Sequence, residues 1–114
     1  MGWIVSYDFD GVLSAGPQWV LDKFRDDLED PEVEVWICTA RYGHGPERAE
    51  VEAWLRFQGV EGVSVLYTDR ELKGPYLLEL IEANRHYDDD VDQVMSAEDH
   101  GIEAIYIDPD EEEW

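Results

Sequence analysis

Four short segments of this chain carry the residue types that polar catalysis needs. Asp8-Phe9-Asp10-Gly11-Val12 sets two carboxylates two positions apart, beside a turn-forming Asp-Gly pair. Thr39-Ala40-Arg41 offers a hydroxyl and a guanidinium, Lys73 an ammonium, and Asp88-Asp89-Asp90 a run of further acids. Two carboxylates about 4 Å apart repel by roughly 4 kcal/mol at an effective dielectric near 20, so acids gathered this closely need a divalent cation. Hard oxygen donors suit Mg²⁺. Zinc has no comparable ligand set, because His44, His86 and His100 are scattered and expected on the surface or in loops. Asp-x-Asp spacing alone selects nothing, since it recurs at Asp88/Asp90, Asp90/Asp92 and Asp108/Asp110. Order and location along the chain are what single out the four segments.

Each segment follows an apolar run or opens a helix. Ile4 to Tyr7 reads as a strand, followed by a loop with Gly11, Gly16 and Pro17. Leu21, Phe24 and Leu28 fall on one helical face, and Pro31 closes that unit. Val33 to Cys38 is nearly continuous in apolar character, as a strand covered on both faces should be. Gly45-Pro46-Glu47 starts a helix with Val51, Trp54 and Leu55 as its stripe and Gly59 as its stop. Val63 to Tyr67 is a third strand. Pro75 opens a helix with Leu77, Leu80 and Ile81 inward, and Arg85-His86-Tyr87 is read as a strand from its surroundings. Val91, Val94 and Met95 form a fourth helical stripe, ending near Gly101, before a last strand from Ile102 to Ile107. This β-α-β-α-β-α-β-α-β order implies right-handed crossovers and a parallel sheet between helical layers. Ligands bind such sheets beyond the carboxyl ends of the strands, where the four segments lie.

With 114 residues the chain forms one domain, and its 44% hydrophobic content excludes a disordered class. No basic leader with a long apolar run is present, so neither a signal peptide nor a membrane span is expected. The lone Cys38 has no internal partner, and a cytoplasmic location is expected. The balance of 29 acids against 8 bases gives a formal charge of −21. Such like charge opposes compaction in ordinary salt, whereas at molar salt the Debye length falls to about 3 Å. The composition resembles that of proteins from halophiles, which keep high salt in the cytoplasm. In that setting net charge neither excludes nucleic acid nor points to basic partners.

The ordered set resembles the haloacid dehalogenase (HAD) superfamily of phosphotransferases. Its first motif, an apolar strand ending in Asp-x-Asp-Gly-Thr/Val, is matched by Ile4 through Val12. The second, a strand ending in Thr or Ser, is matched by Val35-Trp-Ile-Cys-Thr39, the third by Lys73, and the fourth by Tyr87-Asp88-Asp89. The likeness spans essentially the whole chain, with a capless HAD-like hydrolase domain at 1–108 and an acidic C-terminal tail at 109–114. It implies a single doubly wound α/β domain with a five-stranded, mainly parallel Rossmann-like sheet between helices. No cap domain fits, because one helix fills the first gap, and a helix and a strand fill the span from Thr39 to Lys73.

The resemblance also implies roles. Asp8 becomes the nucleophile that forms an aspartyl-phosphate, and Asp10 protonates the leaving oxygen, then activates water. Mg²⁺ is held by an Asp8 carboxylate oxygen, the main-chain carbonyl of Asp10, and Asp88 or Asp89; the triple Asp leaves that choice open, with Asp92 a more remote candidate. Thr39 bonds a phosphoryl oxygen together with the backbone N–H groups of Phe9 and Ala40, while Lys73 neutralises developing charge. Only two bases are lysines, Lys23 and Lys73, which adds weight to the second. Capless relatives act on nucleic-acid 3′-phosphates and nucleotides, so the expected substrate is a phosphomonoester of that or another kind. Arg41, with Arg48 one turn into the next helix, brings cations near the phosphate, and Arg41 is expected to contact substrate phosphate or ribose. Tyr42 and His44 lie on the same loop, either as simple loop residues or as rings that stack on a base. An uncapped cleft suits a bulky substrate or closure by a second subunit.

Two other readings compete. A non-enzymatic, receiver-like phospho-acceptor switch would use Asp69 after the third strand, yet no lysine follows the fifth. A catalytically degenerate HAD binding module is opposed by the joint presence of Asp8, Asp10, Thr39 and Lys73.

Overall fold

The computed structural model of the chain describes residues 2–108 and 110. Its elements are β1 (Trp3–Tyr7), α1 (Gln18–Glu29), β2 (Val33–Thr39), α2 (Gly45–Gln58), β3 (Ser64–Tyr67), α3 (Lys73–Glu79), β4 (Arg85–Asp88), α4 (Val91–Asp99) and β5 (Glu103–Tyr106). All five strands are parallel and lie in the order β3-β2-β1-β4-β5. The chain steps outward from β1 to β3, then returns to the far side of β1 for β4 and β5. This doubly wound, Rossmann-like α/β arrangement has its switch point between β1 and β4. Among the described residues no domain is inserted between the elements, and no helix is long and apolar enough to cross a membrane. The acidic tail expected at 109–114 lies outside the described residues apart from Asp110, whose N–H donates to Asp108.

Alternation along the central strands sorts their side chains by face. Val5 and Tyr7 of β1, with Val35 and Ile37 of β2, meet Val20, Phe24 and Val51 from α1 and α2. Tyr7 stacks on Tyr87 at 4.7 Å and meets Phe24 edge-on at 5.3 Å. Burying a side chain such as Phe24 contributes about 1.5–3 kcal/mol. The opposite face takes Cys38, Leu77, Ile81 and Ala97 under α3 and α4. Ser6, Asp8, His86 and Asp88 therefore share that second face, since the register pairs Ser6 with His86 and Tyr7 with Tyr87.

Three expectations are corrected. Phe9–Leu13 is not open loop but a wide turn, closed by Ser14 N–H to the Phe9 carbonyl at 3.0 Å and burying Phe9, Val12 and Leu13. α3 starts at Lys73, two residues ahead of Pro75, and ends before Leu80, which is exposed. In α4 the inward face is Gln93, Ser96 and Ala97, while Val91 and Met95 face out. The reason lies in α3. The first N–H groups of a helix lack intrahelical partners, and here Lys73 N–H donates to Gln93 Oε1 at 2.8 Å and Gly74 N–H to Ser96 Oγ at 3.0 Å. Polar side chains on α4 thus cap the start of α3, and periodicity of apolar residues could not reveal it.

That contact is tight. A Cβ on Gly74 would stand 2.4 Å from the Ser96 carbonyl and 2.5 Å from Ser96 Oγ. Gly74→Ala is expected to lower stability by about 1–3 kcal/mol, read as a lower urea midpoint at fixed KCl; an unchanged midpoint would show that α3 and α4 separate freely.

Candidate functional site

Lys73 sits at the centre of the carboxyl edge. Its Nζ lies 2.8 Å from Asp8 Oδ1 and 2.6 Å from Asp88 Oδ2, and all three residues are buried. The sheet makes this possible: Asp8 N–H donates to the Tyr87 carbonyl at 2.9 Å, so Asp8 and Asp88 end neighbouring strands side by side. Capping by Gln93 then sets the first residue of α3 above them.

Beneath Asp88 lies a group the sequence reading misplaced. His86 is fully buried within β4 and not at the surface. Its Nε2 is 2.6 Å from Asp88 Oδ2 and its Nδ1 3.0 Å from Ser6 Oγ. An ionised carboxylate offers only lone pairs, so Nε2 carries the hydrogen and Nδ1 accepts from the Ser6 hydroxyl. Burial holds the His86 pKa below its usual value, against the pull of Asp88. The remaining Asp88 oxygen accepts the Asp90 N–H at 3.0 Å.

Asp8, Asp88 and Asp89 offer carboxylate oxygens within 4.8 Å of one another. Gly11 makes room for this cluster. It has φ +75°, and a Cβ there would stand 2.1 Å from Asp89 Oδ2. An all-oxygen donor set with one compensating ammonium fits a hard divalent cation such as Mg²⁺. The electrostatics agree. Burial pushes the Asp8 carboxyl well above the usual carboxylate range, against the pull of Lys73 and with Asp88 adding to the rise. Burial also raises Asp89. At Asp88 burial is outweighed by the hydrogen bond from His86 and the charge of Lys73, which hold it at about 2.

The other expected residues arrive differently. Asp10 lies outside the acidic cluster: its half-exposed carboxylate makes a two-point pair with Arg41, Nε to Oδ2 at 2.9 Å and Nη2 to Oδ1 at 2.8 Å. Arg41 also donates through Nη1 to the Glu47 carbonyl and to Glu50, both at 3.0 Å. Thr39 is fully buried, with Oγ1 accepting the Arg41 N–H at 3.3 Å. Phe9 is a core residue whose ring packs on Trp54 beneath the Arg41 guanidinium, and its N–H is engaged by Asp8 Oδ1 at 2.9 Å. Ala40 lines the cleft. Arg48 pairs with Glu52 outside it, and Asp92 faces a separate hollow with Leu72 and Met95.

The cleft holds about 230 Å³. Asp8, Asp10 and Asp88 through Asp90 line one part, and Arg41, Arg70 and Lys73 supply its cations. A larger hollow of about 440 Å³, around Leu28, Val35 and Gly62 at the amino ends of the strands, contains acids but no cation. Chemistry, not size, marks the smaller one as the candidate site. Asp90 belongs to the acidic run named from the sequence, whereas Arg70 and Gln93 were missed as site residues; the strand-end rule would have reached Arg70, three residues past β3.

No known family's sequence pattern matches the chain, and no curated protein matches it in sequence. Among solved structures it is similar to an uncharacterised protein from Corynebacterium glutamicum, with a TM-score of 0.62 and 19% identity over 90% of this chain and 82% of that one. Likeness at that identity establishes the fold alone.

The raised Asp8 pKa has a sign. A carboxyl whose folded pKa lies above 3.8 contributes stability at low pH that is lost as pH rises toward the folded value. Asp8→Asn cannot ionise, so in EDTA its melting temperature is expected to fall less than the parent's as pH rises from acid toward neutral. Millimolar Mg²⁺ should raise the melting temperature of the parent and far less that of the variant; calorimetry in both media checks this.

Proposed function

We propose that the protein is a Mg²⁺-dependent phosphomonoester hydrolase working through an aspartyl-phosphate on Asp8, as the resemblance to HAD enzymes implies. The observation that carries this reading is the placement of Asp8: Oδ1 is held by Lys73 at 2.8 Å inside an acidic cluster that opens on a cleft. Lys73 and the Phe9 N–H hold the same oxygen, which leaves Oδ2 as the attacking atom. In the first step Oδ2 forms a bond to phosphorus while the ester P–O bond breaks and the leaving oxygen takes a proton. In the second, water attacks phosphorus, the bond to Asp8 breaks, and phosphate departs. Asp8, Asp88 and Asp89 would hold Mg²⁺, which when bound supplies positive charge against the carboxylates and the phosphoryl oxygens.

Asp10 is the proton carrier in this scheme. Both its oxygens accept hydrogen bonds from Arg41, so it can give a proton to a leaving group only once Arg41 has let go. Arg41 therefore acts first as a clamp on Asp10. Ser6, His86 and the Asp90 N–H keep Asp88 oriented. A nucleotide or another small phosphomonoester fits an open cleft of this volume, and a cytoplasmic setting accompanies the reading. The receiver-like alternative is disfavoured because the Asp69 carboxylate accepts the Gly43 N–H at 3.0 Å and, among the described residues, belongs to no acidic cluster.

An aryl phosphate in molar KCl, with and without Mg²⁺, tests the proposal. Turnover is expected only with the metal, and Asp8→Asn is expected to lower kcat by about 10⁴-fold or more. Equal rates for parent and variant would remove Asp8 as nucleophile, and no turnover of any phosphoester would favour a binding module.

A further inference from the structure

Three of the chain's eight bases, Arg41, Arg70 and Lys73, line a single cleft. They are not equivalent. Lys73 is buried between Asp8 and Asp88. Arg41 has each of its nitrogens engaged, on Asp10, Glu50 and the Glu47 carbonyl. Arg70 differs: among the described residues its guanidinium donates from Nη2 alone, to Glu47, and its side chain is 53% exposed. Nε and Nη1 keep their hydrogens for another acceptor.

The backbone that carries Arg70 is held against its own preference. Asp69 and Arg70 both take left-handed conformations, φ 51° and 71°, each costing a non-glycine residue roughly 1–2 kcal/mol. Contacts to the loop after β2 hold the turn there. Arg70 N–H donates to the Ala40 carbonyl at 2.6 Å, Asp69 N–H to the Arg41 carbonyl at 3.2 Å, and Gly43 N–H to Asp69 Oδ1 at 3.0 Å. The Tyr42 ring lies under the guanidinium, 4.9 Å from centroid to Cζ. Strained but pinned backbone at a cleft is a common mark of a pre-organised binding group.

We infer that Arg70 is an oxyanion subsite and that the substrate is a small phosphomonoester bearing a second anionic group. The inference rests on the phosphomonoester reading above and names its substrate class. The transferred phosphoryl group occupies the end at Asp8 and Lys73, and the second group takes Nε or Nη1 of Arg70 together with the Nη2 hydrogen that Glu47 leaves free, an edge whose fork matches two oxygens of a phosphate or carboxylate. Arg41, already engaged on Asp10, does not supply this fork. A small occupant is the economical one, because few bases remain outside the cleft: Lys23, Arg48 and Arg85 are each paired with an acid, Arg25 donates to Gln58, and Arg56 lies in the last turn of α2. A polynucleotide leaving the cleft would lack the phosphate contacts on which its binding depends.

The test separates this subsite from the chemistry. Binding of propyl phosphate, alkanediol bisphosphates of two to six carbons, and matching phospho-carboxylic acids is measured by titration calorimetry on Asp8→Asn protein at fixed KCl. At least one second anion is expected to tighten binding about tenfold, the effect of a charge-assisted hydrogen bond. In the Arg70→Ala background this preference should fall below about twofold. Arg70→Lys should keep part of it, and Glu47→Gln, which releases Arg70, should increase it. Circular dichroism checks that each variant is folded. No preference at any spacer, or a preference that survives Arg70→Ala, overturns the subsite. So does a 3′-phosphorylated oligonucleotide that outbinds every bisphosphate independently of Arg70. The same esters are offered to the parent enzyme with Mg²⁺. Absence of hydrolysis with the binding preference intact removes the phosphatase reading and leaves the subsite, whereas hydrolysis without preference removes the subsite alone.

Discussion

One buried ammonium organises the carboxyl edge of this sheet. Taking charges out of water costs several kcal/mol per ion, and a pair offsets that only with close geometry and further hydrogen bonds. Lys73 has both, at 2.8 Å from Asp8 and 2.6 Å from Asp88. Burial alone would lower its pKa; the two carboxylates outweigh burial and raise it, so it stays charged. Much of the nearby structure follows from keeping it there. α4 gives up an apolar inner face to cap α3, Gly74 lets the two helices close, and His86 and Ser6 brace Asp88 from below.

The same arrangement leaves a charge deficit that makes sense of the cleft. Three carboxylates face one ammonium, and burial opposes ionisation of Asp8 in particular. Buried charge that is incompletely paired opposes stability in this way. Here the tension has a direction, because any cation that enters relieves it.

How far the sequence could be read depended on whether a feature was local. Strand–helix alternation survives translation into structure because each amphipathic run reports its own burial, and the polar Arg85–Asp88 is indeed a strand between β1 and β5. The meeting of Asp8, Lys73, Asp88 and Asp89 was legible because parallel strands deliver their ends to one edge. What stayed hidden involved partners distant in sequence. The polar stripe of α4 makes sense only beside the start of α3, and His86 reads as a surface residue until its pairing with Ser6 is known. Asp10 looked free because nothing local announces that Arg41 will occupy both of its oxygens. Arg70 lies within reach of the strand-end rule, three residues past β3, but the left-handed turn that holds it is built without glycine and carries no sequence mark.

The stitching around Gly74 has a mechanical meaning. On one side of the cleft, α3, α4 and β4 are joined through buried contacts with no slack, so they form a fixed jaw. The opposite jaw, the loops after β1 and β2, is latched by Arg41 to Asp10 and Glu50 and by Arg70 to Glu47, all partly open to solvent. Dissolved ions weaken exposed pairs and barely reach buried ones. Ionic strength therefore acts on this cleft asymmetrically: added salt weakens the exposed pairs of Arg41 and Arg70 and leaves the buried pairs of Lys73 nearly untouched.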